Sequence, residues 1–220
     1  MNRNIERVII IISLALVSIY LISATGIIPL PIAIARTALF LLGPFAIIGI
    51  TSLASSYTPH EDYKLIQHFG HIFIVIAFGL FTTMLVVQQA GFSFYESNKE
   101  FITNAKEVFR LVNSVQLGID ISFDIFYCLG ILFFSFSFLK LKGLGLLVGI
   151  IGVTTSIGLL SLNMITFPIP PAESGLIDLG PFSIIGWGLG AIYIESIHNK
   201  PHKAIFENAR GDQCGAVNGR

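Results

Sequence analysis

The run LVNSVQLGIDISFDIFYCLGILFFSFSFL, Leu111 to Leu139, contains no Lys or Arg, yet it carries two carboxylates, Asp120 and Asp124. It is too long for an ordinary strand and long enough to cross a bilayer as a helix. Wound at about 100° per residue, Arg110 just ahead of the run, Asn113, Gln116, Asp120, Asp124 and Tyr127 share one arc of about 120°. Val115, Ile119, Phe126 and Phe133 fall outside it. An ionised carboxylate at the centre of a bilayer costs at least about 2.5–3.5 kcal/mol on insertion scales, so such a stripe must face a bundle interior or water. Counting about 1.5 Å per residue from Arg110 and from Lys140 places both carboxylates near mid-depth.

Five further runs have spanning length: Val8–Thr25, Ala33–Leu53, Leu65–Val87, Leu144–Ile165 and Leu176–Ile197. The whole chain is 54% hydrophobic and 12% charged, with a mean hydropathy of +0.80. That is a membrane composition. The runs lack the short alternation of barrel strands, and backbone groups in hydrocarbon must be satisfied within the segment, so helices are expected. The predicted fold is all-α: an integral membrane bundle of six transmembrane helices over residues 1–198, followed by a polar, flexible cytoplasmic tail, 199–220.

Formal net charge is zero, which argues against nucleic acid as a partner and leaves the lipid bilayer. The placement of the 13 basic residues sets orientation: nine lie in the N-terminus, the second and fourth loops and the tail, against Arg36, Lys99, Lys106 and Arg110 on the other side. The positive-inside rule then puts both termini in the cytoplasm. MNRNIER followed by an apolar run and ISATG also has the outline of a signal peptide, but the run is long for one. Cys128 lies within the fourth span and Cys214 in the tail, so no disulfide is expected.

An offset of 137 aligns Pro31–Gly49, PIAIARTALFLLGPFAIIG, with Pro168–Gly186, PIPPAESGLIDLGPFSIIG, eleven of nineteen positions being identical. The same offset sets the first span over the fifth. This predicts a parallel repeat of helical hairpins, spans one and two matching spans five and six, with kinks near Pro44 and Pro181 and a polar central pair between them. Arg36 and Glu173 occupy equivalent positions with opposite charge, and Asp178 lies nearby, so a cross-repeat ion pair is expected.

The other candidates are weaker. His68 and His71 share a helix face just after Glu61 and Asp62, too far from Asp124 to join it in a metal site; they read as interfacial polar residues. His198 and His202 flank Pro201 in a juxtamembrane basic segment. Gln88, Gln89 and Asn163 sit at the level of Arg110 and Asn113 and suggest a polar external vestibule. Gly145-x-x-x-Gly149 and Gly186-x-x-x-Gly190 mark close-packing faces. No phosphate loop, dinucleotide fingerprint, zinc-protease helix or nucleophile elbow is present, and no cofactor, metal or catalytic residue is assigned.

The stripe supports two main functions. In one it lines a hydrated cavity where Asp120 and Asp124 bind a proton, a cation or a small solute in a transporter or channel. In the other the carboxylates only lock helices together, with Arg110 and Asn113 as partners, in an interaction, sensory or structural protein. A membrane-embedded enzyme comes third. FPIPPAESGLIDLGPF together with LGIDISFD resembles bacterial multi-span membrane proteins of an uncharacterised domain family, mainly over residues 107–190. The resemblance implies a membrane bundle, in keeping with a bacterial inner membrane, and no activity.

Overall fold

The computed structural model describes residues 3–25, 31–56, 63–184 and, beyond these, positions 186, 188, 190 and 192. Five helices follow in order: α1 Arg3–Thr25, α2 Ile32–Ser56, α3 Lys64–Asn98, α4 Ala105–Phe138 and α5 Leu144–Thr166. Residues 167–179 are non-helical, and helix resumes at 180–184 and at the four described positions that follow. Glu61, Asp62, His198, Pro201, His202, Cys214 and the whole tail lie outside the described residues.

Four helices are long and apolar enough to cross a membrane: Arg36–Ser55 within α2, then α3, α4 and α5. The apolar stretch of α1, Ile11–Tyr20, is shorter. Four such spans are therefore found among the described residues, where six were expected. In hydrocarbon these helices gain nothing from burying apolar surface against lipid, so close contact must hold them together. The closest contact is between α3 and α4. A Cβ built on Gly70 would meet the carbonyl oxygen of Gly130 at 3.0 Å, and one on Gly130 would meet the backbone nitrogen of Ile74 at 2.9 Å. Around this seam Ile74, Ala77, Phe81, Phe123, Ile131 and Phe134 form the core. Phe81 bridges outward, lying edge-on to Tyr20 of α1 at 5.2 Å and tilted against Phe123 of α4 at 5.0 Å.

At the other end of α4 the chain reverses at Gly143, whose φ of 62° suits a residue without a Cβ. There a Cβ on Gly149 would meet the backbone nitrogen of Leu139 at 2.9 Å, and Gly190 lies against Val148. Both act as packing positions, as their spacing predicts. Gly145 instead faces Leu141 in the preceding turn.

The helices are unequal in length. With 35 and 34 residues, α3 and α4 are about 53 and 51 Å long, against a hydrocarbon layer of about 30 Å. α5 has only 23 residues and ends at Thr166, one turn past Asn163, which bonds Asp124. Measured from Phe138, Asp124 lies about 21 Å and Asp120 about 27 Å along α4. At the Arg110 end α4 runs well past the end of α5.

The aligned hairpins also differ. Residues 32–42 are helical, while the matching 169–179 form an irregular loop. Pro31 precedes the first turn of α2, where a missing N–H costs nothing. In the second copy Pro168, Pro170 and Pro171 remove three donors within four residues, so no helix forms. Helix starts only at Gly180, whose N–H donates to Asp178 Oδ1 at 2.8 Å. Pro44 is consequently internal to α2, whereas Pro181 sits in a first turn. Structural equivalence over the full aligned stretch is not found.

Candidate functional site

The polar stripe of α4 divides into a part towards the 99–104 turn, termed outer, and a part towards the 139–143 turn, termed inner. Arg110 is exposed, and Asn113 and Gln116 line a cleft of about 510 Å³ between the outer ends of α1 to α4. Gln88 and Gln89 of α3 complete its four amides. Tyr20, Phe92 and Phe109 supply aromatic walls, with Leu39 and Val112 between them. The expected vestibule is thus present with both glutamines of α3. Asn163 is not part of it.

One turn inward of Gln116 the stripe continues with Asp120, half-buried, and then Asp124, which is 9% exposed. Asn163 of α5, 3% exposed, donates its amide N–H to Asp124 Oδ2 at 2.8 Å and to the Leu159 carbonyl at 3.1 Å. Its own Oδ1 is buried and has no hydrogen-bond partner among the described residues. Sequence counting had placed Asn163 with the vestibule because it assumed helices of equal height. Deeper still, the Tyr127 hydroxyl donates to Ser183 Oγ at 3.4 Å, and Thr155 Oγ1 donates to the same oxygen at 3.2 Å. A buried polar column therefore joins α4, α5 and the segment starting at Gly180.

The electrostatics of this column are one-sided. Asp120 interacts with the charges of Asp178 and Glu173, and Asp124 with those of Asp120 and Asp178. Tyr20, a wall of the cleft, is within range of Asp120, Asp124 and Asp178. No described cation pairs with either carboxylate. Arg36 is exposed on α2 and forms no ion pair with Glu173 or Asp178 among the described residues. Asp178 spends one oxygen on the Gly180 N–H instead. At the outer turn, Lys99 Nζ donates to Glu96 Oε2 at 2.6 Å, which raises the Lys99 pKa from its ordinary value.

His71 Nε2 lies 3.0 Å from Thr51 Oγ1 and ties α3 to α2, while His68 is exposed. Among the described residues no group of three His, Cys, Asp or Glu side chains is placed to hold a metal ion. Cys128 is free and buried.

Sequence reading missed the role of Asn163 and the nearness of Tyr20, Thr155 and Ser183. A polar side chain on an otherwise apolar span was the available signal for Asn163. Nothing in the pattern says which carboxylate it meets. No family model, curated protein or solved structure matches the chain.

Proposed function

We propose that the chain is a multi-pass membrane protein of six crossings in which Asp120 and Asp124 take up a proton or a cation, so that it works as a small transporter or channel. One observation carries this reading: Asp124 is buried, held by a single amide N–H from Asn163, with no described cation against it. Magnitudes weigh against a purely structural role. An interhelical hydrogen bond in a bilayer averages about 0.6 kcal/mol. An ionised carboxylate at the centre of the layer costs at least about 2.5–3.5 kcal/mol. Ser or Asn at position 124 would accept the Asn163 N–H without that cost. What only a carboxylate adds is the ability to gain and lose charge.

The second reading, a helix lock in an interaction, sensory or structural protein, draws on the Asp124–Asn163 bond itself, which joins α4 to α5. Proteoliposomes separate the two. An imposed pH, Na⁺ or K⁺ gradient should dissipate faster with the purified chain than in protein-free vesicles. Equal rates for all three ions would leave only the lock.

Orientation is part of the proposal. With nine of the 13 basic residues on the side of both termini, those termini face the cytoplasm of a bacterial inner membrane. A short tag in the 99–104 turn should react from outside intact cells, and one in the 139–143 turn only after permeabilisation. Tags reporting the same side would overturn the crossing pattern. The internal repeat is kept only as a sequence relation between Leu42–Gly49 and Leu179–Gly186.

A further inference from the structure

The cleft above the carboxylates has the size of a site for a small organic molecule; such pockets run to about 300–1,000 Å³, and this one measures about 510 Å³. Its lining is chemically narrow. Tyr20, Phe92 and Phe109 offer ring surfaces, the amides offer hydrogen bonds, and no charged side chain lines the wall among the described residues. Gln116 is the telling member. It is 8% exposed and makes no side-chain hydrogen bond to a described residue, so its amide is left to whatever occupies the cleft.

The inner end decides the sign of the ligand. Asp120 follows Gln116 by one helical turn on the same face and Asp124 by two, with no described cation pairing with either. An anion would meet repulsion there. A neutral solute would leave the field unused. A positive group gains both from the carboxylates and from the face of Tyr20. Arg36 and Arg110 lie one turn outward of Leu39 and Asn113, exposed to solvent and screened by it.

We infer that this cleft binds an aryl-bearing organic monocation, its ring against Phe92 and Phe109, a hydrogen-bonding group on Gln116 and its charge directed at Asp120. This deepens the proposed function, resting on the reading that these carboxylates accept a cation, and it names the substrate class.

The test uses ethidium, a planar monocation with amino groups, titrated by fluorescence anisotropy into the full chain in nanodiscs. Empty nanodiscs provide the partition background, and Nile red serves as a neutral aromatic of similar size. Saturable ethidium binding is expected, weakened about tenfold by Asp120→Asn and several-fold by Phe92→Ala, with Nile red at least about tenfold weaker. Phe92 is exposed on the outer part of α3, so Phe92→Ala keeps the test open should Asp120→Asn fail to fold. Non-saturable uptake, equal binding of Nile red, or full binding by both variants overturns the inference. Ion flux is measured on the same preparation. Flux without ethidium binding defeats the substrate class alone, whereas ethidium binding dependent on Asp120 without flux defeats the transport reading and leaves the site standing.

Discussion

Proteoliposomes carrying Asp124→Asn should dissipate an imposed proton or cation gradient about a hundredfold more slowly than wild type, the scale on which loss of a positioned proton-exchanging group acts. The substitution is chosen because it keeps nearly everything else. An amide has the shape of the carboxylate, and its carbonyl oxygen can still accept the N–H of Asn163 now donated to Oδ2 at 2.8 Å. Folding and insertion should survive or improve, because an ionisable group leaves the bilayer. A helix lock would be indifferent to the change. Wild-type flux with an intact thermal midpoint would therefore assign Asp124 to packing.

The second large effect concerns the seam between α3 and α4. Gly130→Val should lower stability by about 1–3 kcal/mol, the usual range for overpacking, read as a lower thermal midpoint in detergent. The added Cβ would meet the backbone nitrogen of Ile74 at 2.9 Å and the Gly70 carbonyl oxygen at 3.1 Å, and backbone cannot move aside by changing rotamer. Gly79→Ala and Gly118→Ala provide the contrast on the same two helices. A Cβ at either has nothing within 4 Å, and Ala favours helix over Gly by roughly 0.5–1 kcal/mol. If all three variants melt alike, the seam is not where these helices are held.

The fold was legible in the sequence where a single segment decides it. The run from Leu111 to Leu139 could only be a helix in hydrocarbon, and its polar face was readable from the 3.6-residue period alone. Asn113 and Gln116 do line a cleft with Gln88 and Gln89, and Asp124 and Tyr127 are buried. What failed depends on relations between segments. The register that brings Asn163 to Asp124 arises from packing across the bundle. The repeat misled for a related reason. Gly-Pro-Phe recurs at a fixed offset, but three prolines upstream in one copy and one in the other decide whether those residues lie inside a helix or at its start. Glycine contacts were equally hard to foresee, since Gly70 and Gly130 carry no spacing motif and meet only because α3 and α4 run antiparallel at that register.

The account turns on whether water reaches Asp120 from the cleft, and thiol labelling measures this directly. In a Cys214→Ser background, native Cys128 is 2% exposed and should stay silent toward a membrane-impermeant maleimide. Asp120→Cys should label when the reagent is added on the side of the 99–104 turn. Ile125→Cys, on the outward face of α4 at 38% exposure, should not label, since the proposed bundle turns that face to lipid. Labelling confined to position 120 is the predicted result. An Asp120→Cys thiol as inert as that of Ile125→Cys would contradict the hydrated path on which the proposed function rests.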